Sequence, residues 1–365
     1  MSSSAPYAAA MTIRVGFLGS GLIAAYHAIQ LNLARDAAAA GADIPDHRIV
    51  AVYDPDPERA LGLAVGQSAA TCSSPQEVID ASDAVFVCTW TAEHLPMVEL
   101  VAAAGLPLFC EKPLSLDLRR SRDLVSEVRR AGLVNMVGLV MRSSPALLVL
   151  RQMVHDPAVG RVMNVVFRDD QYIPTQGMYA STWRGEVALA GAGALMEHSI
   201  HDLDLLEWLF GPVDSMGAQQ SFFHGIDGIE DSVSALLRFS SGATGSLASI
   251  WHDVMRRPSQ RRMEVFCERA TVTLVSDDEG PVICESSDGE ESVAGDELVR
   301  WLHERGIATP SAEADFLRAV RVHLDGGTPD RLRPDVDDAL RAHVLVDAAY
   351  RSAGVGGDPV AVPHP

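Results

Sequence analysis

Short apolar runs and helix-favouring stretches take turns along the first part of the chain. Thr12–Leu18 is a β-rich run, followed by Gly19-Ser-Gly-Leu-Ile-Ala24 and a helical stretch to about Ala40. The next apolar run, Arg48–Tyr53, ends in Asp54. Further strands are predicted at Ala84–Cys88, Pro107–Cys110 and Val134–Val140, with helices at about Ala92–Ala104 and Leu116–Ala131 between them. Strands alternating with helices of this length predict a parallel sheet wound by right-handed crossovers.

After about Arg142 the alternation stops. Strands are predicted at Val162–Tyr172, Gly217–Phe223, Ser232–Phe239, Thr244–Trp251, Arg262–Cys267 and Ala270–Leu274, and Phe239–Ala243 reads as a hairpin connection. Such spacing describes a mixed or antiparallel sheet. The acidic stretch Glu279–Glu297 reads as an exposed loop, and helices return at about Ala312–His323 and Val336–Ala353. The expected fold class is α/β: a doubly wound parallel sheet over 12–140, preceded by a disordered leader over 1–11. It is followed over 141–365 by an α+β domain with a large open sheet, whose C-terminal helix is free to pack back on the first domain.

Composition narrows the function classes. A chain of 365 residues suggests two domains, and 47% hydrophobic with 21% charged content is ordinary for a soluble enzyme. A formal net charge of -20 argues against a nucleic-acid partner. No apolar run reaches the roughly 18 residues a membrane span needs. The N-terminus lacks a basic segment and an apolar core, so it reads as a leader and not a signal peptide. The five cysteines are odd in number and scattered, and Cys88 and Cys110 fall in apolar runs. Buried free thiols and a cytoplasmic location follow.

Gly19, Gly21 and Ala24 form a G-x-G-x-x-A fingerprint between a strand and a helix, with Ser20, Leu22 and Ile23 completing the loop. The first glycine permits a tight turn, and the second admits a pyrophosphate to the helix N-terminus. Asp54, ending the second strand, would hold a ribose hydroxyl and repel a 2′-phosphate, favouring NAD over NADP. Its distance of thirty residues from Ala24 is taken up by Ala34–His47. Asp54-Pro-Asp-Pro57 also reads as a plain turn capping the next helix, and Arg59 leaves NADP open. Lys112 stands immediately before Pro113, where a parallel strand must stop. In doubly wound sheets that end is where ligands bind.

The second chemical segment is Gly191–Gly211, a helix from Ala194 onward. Ile200, Leu203, Leu206 and Phe210 form a buried stripe, while Glu197, His201 and Asp204 share another face. A carboxylate and an imidazole on adjacent turns can hydrogen-bond, raising the histidine pKa. His201 also reads as a satisfied, partly buried histidine. The cluster Glu197, His198, His201 and Asp202 lacks the His-Glu-x-x-His order, and no metal is assigned.

These motifs resemble the glucose–fructose oxidoreductase, inositol dehydrogenase and MocA (Gfo/Idh/MocA) family over nearly the whole chain after the leader. The resemblance rests on Val15–Ala24, Cys88–His94, Cys110-Glu-Lys-Pro113, Gly138–Arg142, the Gly191–Gly211 helix and Glu230–Phe239. It implies an N-terminal Rossmann domain, and a second domain whose open sheet makes homodimer or homotetramer contacts. It also implies hydride transfer between NAD (NADP possible) and a sugar, cyclitol or related polyol. The family's catalytic lysine and histidine fall on Lys112 and His201; Glu197 stands where the family commonly has Asp, and Trp90 where it has Pro. Thr89, His94, Glu111 and Lys112 join the glycine loop and Asp54 as cofactor-binding candidates.

The expected chemistry makes His201 the general base in oxidation and Lys112 the electrostatic partner of the alkoxide, with the two roles interchangeable as far as sequence goes. Arg142, Tyr172, Trp183 and His198 are candidate substrate contacts, each also readable as structural. Relatives that cleave glycosides by transient oxidation, and nucleotide-sensing regulators without turnover, are the alternative functions. A cofactor-free binding protein would leave Gly19 and Gly21 without a purpose beyond a turn.

Overall fold

The computed structural model describes residues 11–309 and 311–364. The leader expected over 1–11 therefore lies, but for Met11, outside the described residues. The first half runs β1 (Ile13–Leu18), α1 (Leu22–Ala39), β2 (His47–Tyr53), α2 (Pro57–Gln67), β3 (Ala70–Thr71), α3 (Pro75–Ala81), β4 (Ala84–Val87), α4 (His94–Ala104), β5 (Leu108–Cys110), α5 (Leu118–Ala131) and β6 (Asn135–Val137). All pairings are parallel, in the order β3-β2-β1-β4-β5-β6. This is the Rossmann order, and the direction of winding reverses between β1 and β4, so a crevice opens at their C-terminal ends. The apolar pattern does not reveal α3, a short helix begun by Ser74, whose side chain accepts from the Glu77 amide, and Pro75.

The second half runs α6 (Pro145–Val154), β7 (Val162–Tyr172), α7 (Val187–Ala190), α8 (Ala194–Glu197), α9 (Ile200–Phe210), β8 (Val213–Ser221), β9 (Ser232–Phe239), β10 (Thr244–His252), β11 (Gln260–Cys267), β12 (Ala270–Leu274), β13 (Val282–Ser286), β14 (Gly289–Val293), α10 (Asp296–Glu304), α11 (Ala312–Leu324), α12 (Val336–Gly354) and β15 (Val360–Ala361). Nine strands join in the order β14-β13-β12-β11-β7-β10-β9-β8-β15, antiparallel except for β7 with β10. Burial alternates along β9, β10 and β11, so one face meets the helices and the other is open.

Three expectations change. The acidic stretch Glu279–Glu297 is not a loop: it holds the β13–β14 hairpin and the start of α10. Val282 and Val293 turn inward and are buried, while Glu285, Glu290 and Glu291 face solvent at a charged sheet edge. A helix, α6, follows directly on Arg142, its apolar residues almost all buried. The helix expected to run unbroken from Ala194 is interrupted between α8 and α9 at His198 and Ser199. Both residues are drawn sideways onto β7, where the Ser199 hydroxyl donates to Asp169 at 2.7 Å and His198 Nε2 lies 3.0 Å from the same carboxylate.

The last helices return to the nucleotide half. Phe316, Leu317 and Val320 of α11 pack into its core, with the Phe316 ring edge-on to Phe86 and Phe109. α12 lies between the two halves: Ala339 packs in the first core, and Leu345, Val346 and Ala348 in the second. His343 of α12 accepts the Leu114 amide at 2.9 Å.

Candidate active site

At the crevice between β1 and β4, Gly19 has φ +93°, and a Cβ there would stand 2.5 Å from the Cys88 carbonyl oxygen. No side chain fits that turn. Gly21 caps α1 without any side-chain hydrogen bond, no acidic residue occupies the first turn, and a Cβ on Gly21 would meet nothing within 4 Å. The amides at the start of α1 therefore have no side-chain cap, and the backbone at Gly21 leaves room for an anionic pyrophosphate. The Asp54 carboxylate accepts from the Ser20 amide and hydroxyl, each at 2.9 Å, and from the Asp56 amide at 2.9 Å. It is thereby fixed at the tip of β2, beside the glycine loop. The Thr89 hydroxyl is buried without a partner among the described residues. His94 ties the ends of β4 and β5 together, Nδ1 lying 2.8 Å from the Pro113 carbonyl and Nε2 3.2 Å from that of Thr89.

The two halves meet at Lys112, whose Nζ donates to the main-chain carbonyl of Glu197 at 2.6 Å. Burial pulls the Lys112 pKa below its ordinary value, although Glu197 and Glu111 oppose the shift. The Glu197 side chain accepts from the Thr91 hydroxyl at 2.7 Å and lies 3.2 Å from Arg184 Nε. Arg184 in turn rests 4.3 Å over the Trp183 ring. The expected Glu197–His201 hydrogen bond is absent, because the break at His198–Ser199 separates the two turns. His201 Nδ1 is buried with no partner among the described residues. Its pKa moves opposite to expectation: burial, then the charges of Lys112 and Arg261, hold it well below the ordinary value.

Beneath these groups, buried Arg261 joins three carboxylates. Its Nε donates to Asp202 at 2.6 Å, Nη1 to Asp277 at 3.2 Å and Nη2 to Asp169 at 3.4 Å. The Arg261 and His198 charges hold the Asp169 carboxyl well below the usual range against burial, whereas burial pushes Asp202 well above it. His198 itself is lowered by burial, with Asp169 opposing.

Residues 13–139 match the NAD-binding Rossmann fold of the oxidoreductase family, and residues 147–273 match the GFO/IDH/MocA C-terminal domain. The chain belongs to the Gfo/Idh/MocA oxidoreductase family. It is 28% identical over 355 residues to inositol 2-dehydrogenase of Rhizobium meliloti (strain 1021), covering 94% of this chain and 97% of that protein. It is 28% identical to D-apiose dehydrogenase of Paraburkholderia graminis, over 86% of this chain and 83% of that one. Its fold superposes on levoglucosan dehydrogenase in complex with NADH and levoglucosan with a TM-score of 0.82, at 21% identity, covering 97% of this chain and 100% of the other.

Within this Gfo/Idh/MocA chain the predicted residues divide. Lys112, Glu197 and His201 come together with Glu111, Thr91 and Arg184. Trp183 stands beside them through Arg184, and His198 through Asp169. Tyr172 is buried, its ring 5.3 Å from that of Tyr179. Arg142 goes elsewhere: it binds Asp204 through two nitrogens at 2.8 and 2.5 Å, in a separate cavity of about 210 Å³ with Glu207, Trp208 and Arg341. Leu22 is exposed and Ile23 half-buried. Thr91, Arg184 and the Arg261 network escape the sequence reading. The available signal for Arg261 is its position on the inward face of β11, where alternation calls for an apolar residue.

Proposed function

We propose that this Gfo/Idh/MocA enzyme interconverts a CH–OH carbon and the corresponding ketone in a sugar, cyclitol or related polyol, using NAD. The observation that carries the reading is the Lys112–Glu197 contact of 2.6 Å, which joins the nucleotide half to the turn preceding His201. Bound NAD supplies the hydride acceptor, and the remaining tasks fall to the chain. A histidine held below its ordinary pKa is neutral at physiological pH and ready to take the hydroxyl proton. The neighbouring Lys112 amine steadies the oxygen as negative charge grows on it. In ketone reduction the same groups act in reverse. Glu197, immobilised by Thr91 and Arg184, offers an acceptor to a second hydroxyl, and the Trp183, Tyr172 and Tyr179 rings suit the C–H faces of a sugar.

The names of the relatives, dehydrogenases of inositol, apiose and levoglucosan, support the polyol class. The fixed Asp54 carboxylate supports NAD over NADP. The open face of the nine-stranded sheet, with Val166, Leu236 and Phe266 exposed, supports assembly as a homodimer or homotetramer. The cytoplasm remains the expected compartment, on the strength of five free cysteines, three of them buried.

The test is NADH absorbance across a panel of sugars, inositols and their keto forms, with NAD or NADP. Turnover with at least one polyol in the presence of NAD is expected. An enzyme that binds NAD yet changes no member of the panel in either direction refutes the proposal.

A further inference from the structure

Behind the Glu-Lys-Pro turn lies a buried group that the mechanism above does not use. His27 of α1 is wholly enclosed, with Nε2 2.9 Å from Glu111 Oε1 and Nδ1 2.7 Å from Glu313 Oε1. The second Glu111 oxygen accepts the main-chain N–H of Lys112 at 3.1 Å. Space for this carboxylate exists because residue 138 is glycine, where a Cβ would stand 2.0 Å from Glu111 Oε1. Phe109 meets the His27 ring edge-on and Phe86 lies tilted against it, while Tyr26 on the same helix lies 5.4 Å away. α1, β5 and α11 therefore converge on one imidazole.

A neutral imidazole has one N–H and could donate to only one of its two carboxylate neighbours; satisfying both requires the imidazolium. Such a buried group is not the simplest way to hold three elements together, since apolar side chains of similar volume often do so at least as well. What it adds is direction. Glu111 is gripped on one side by the ring and on the other by the Lys112 amide, in the residue that precedes the reactive lysine.

We propose that His27 is a positioning residue for Lys112, orienting the Glu111 carboxylate and, through it, the backbone from which the Lys112 amine projects toward Glu197. Glu313 completes the device by anchoring the far side of the ring to α11. The inference rests on the dehydrogenase reading given above and adds a residue to it.

The experiment uses the full-length enzyme with NAD and its best polyol from the panel. His27→Ala, compared per folded molecule at a temperature below its melting transition, is expected to lower kcat at least about tenfold. The KM for the polyol should stay within about threefold. Imidazole added at tens of millimolar should restore part of the lost kcat, because the vacated space keeps both carboxylate acceptors. A folded His27→Ala enzyme with the kcat of the unsubstituted protein overturns the proposal. Should that variant not fold, ring ¹⁵N shifts of His27 in the unsubstituted enzyme decide. Two protonated ring nitrogens at pH 7.5 support the grip on both carboxylates, and a neutral ring overturns it. Absence of turnover in the unsubstituted enzyme is a failure of the dehydrogenase reading; unchanged turnover in His27→Ala is a failure of this one.

Discussion

Lys112 spends one of its three N–H donors on the main-chain oxygen of Glu197, 2.6 Å away. The contact is made with backbone, so it depends on where the α8 turn sits and not on which acid occupies position 197. The Glu197 side chain is thus free to reach Thr91 and Arg184 without altering the position of the lysine.

Lys112→Met and His201→Asn should each keep the fold and NAD affinity while lowering kcat at least about a hundredfold, since the proposed mechanism has both groups act on the reacting oxygen. Steady-state kinetics combined with NAD titration by fluorescence checks this. A proportionate loss of NAD binding would instead point to a role in holding the nucleotide.

The acid limb of activity should lie low. The proposed base, His201, must be unprotonated to act, and burial and the Lys112 charge hold it well below its ordinary 6.5. The pH profile of kcat/KM for oxidation should therefore show no loss of activity on descending through pH 6.5, and the fall should come at lower pH. A limb centred on 6.5 would contradict the environment described for His201.

Asp54→Ala should relax nucleotide choice. It removes the negative charge that opposes a 2′-phosphate and the acceptor that pins Ser20. The expected result is a KM for NAD raised by roughly tenfold and measurable turnover with NADP, where the unsubstituted enzyme has little. The ratio of kcat/KM for the two nucleotides reports it.

Two buried histidines should bend the stability curve in opposite directions. Burial would lower the His27 pKa, but Glu111 and Glu313 outweigh it and push the value up to about 9 from 6.5. Its contribution, on the order of 3 kcal/mol, is complete below pH 6.5 and lost as pH rises through about 9. Burial takes His343 down to about 3, so its neutral form favours the fold above pH 6.5 and that support is lost as pH falls toward 3. Urea midpoints from pH 4 to 10 for His27→Gln and His343→Gln, set against the unsubstituted protein, should flatten the alkaline and acid arms respectively.

Gly193→Ala should unfold or gravely weaken the chain, because its Cβ would fall 1.9 Å from the Glu230 carbonyl oxygen, a backbone atom that cannot retreat cheaply. A loss of more than about 3 kcal/mol in thermal unfolding is expected.

Most of the first sheet is legible in the sequence because β1, β2, β4 and β5 are largely apolar and the helix-favouring stretches of α1, α4 and α5 fall between them, whereas the short α3 and the two-residue β3 carry no such pattern. The glycine turn and the lysine before Pro113 could be placed for the same reason. The β13–β14 hairpin escaped because an exposed edge strand needs only one inward residue at intervals, and Val282 and Val293 are too few to mark a period among acids. The break at His198–Ser199 was hidden because its cause, the Asp169 carboxylate, lies about thirty residues upstream on another element. No local pattern marks His27, since neither Glu111 nor Glu313 is near it in sequence.

The position of α11 has a consequence for how the protein is made. Phe316, Leu317 and Val320 fill the back of the first sheet, although they belong to the final portion of the chain. A ribosome that has released only the opening strands has delivered a sheet with a bare apolar side. The nucleotide cradle, synthesised before α11, can thus close only once α11 has emerged, and a gene fragment ending at residue 140 should yield a sticky, chaperone-bound product in place of a working half.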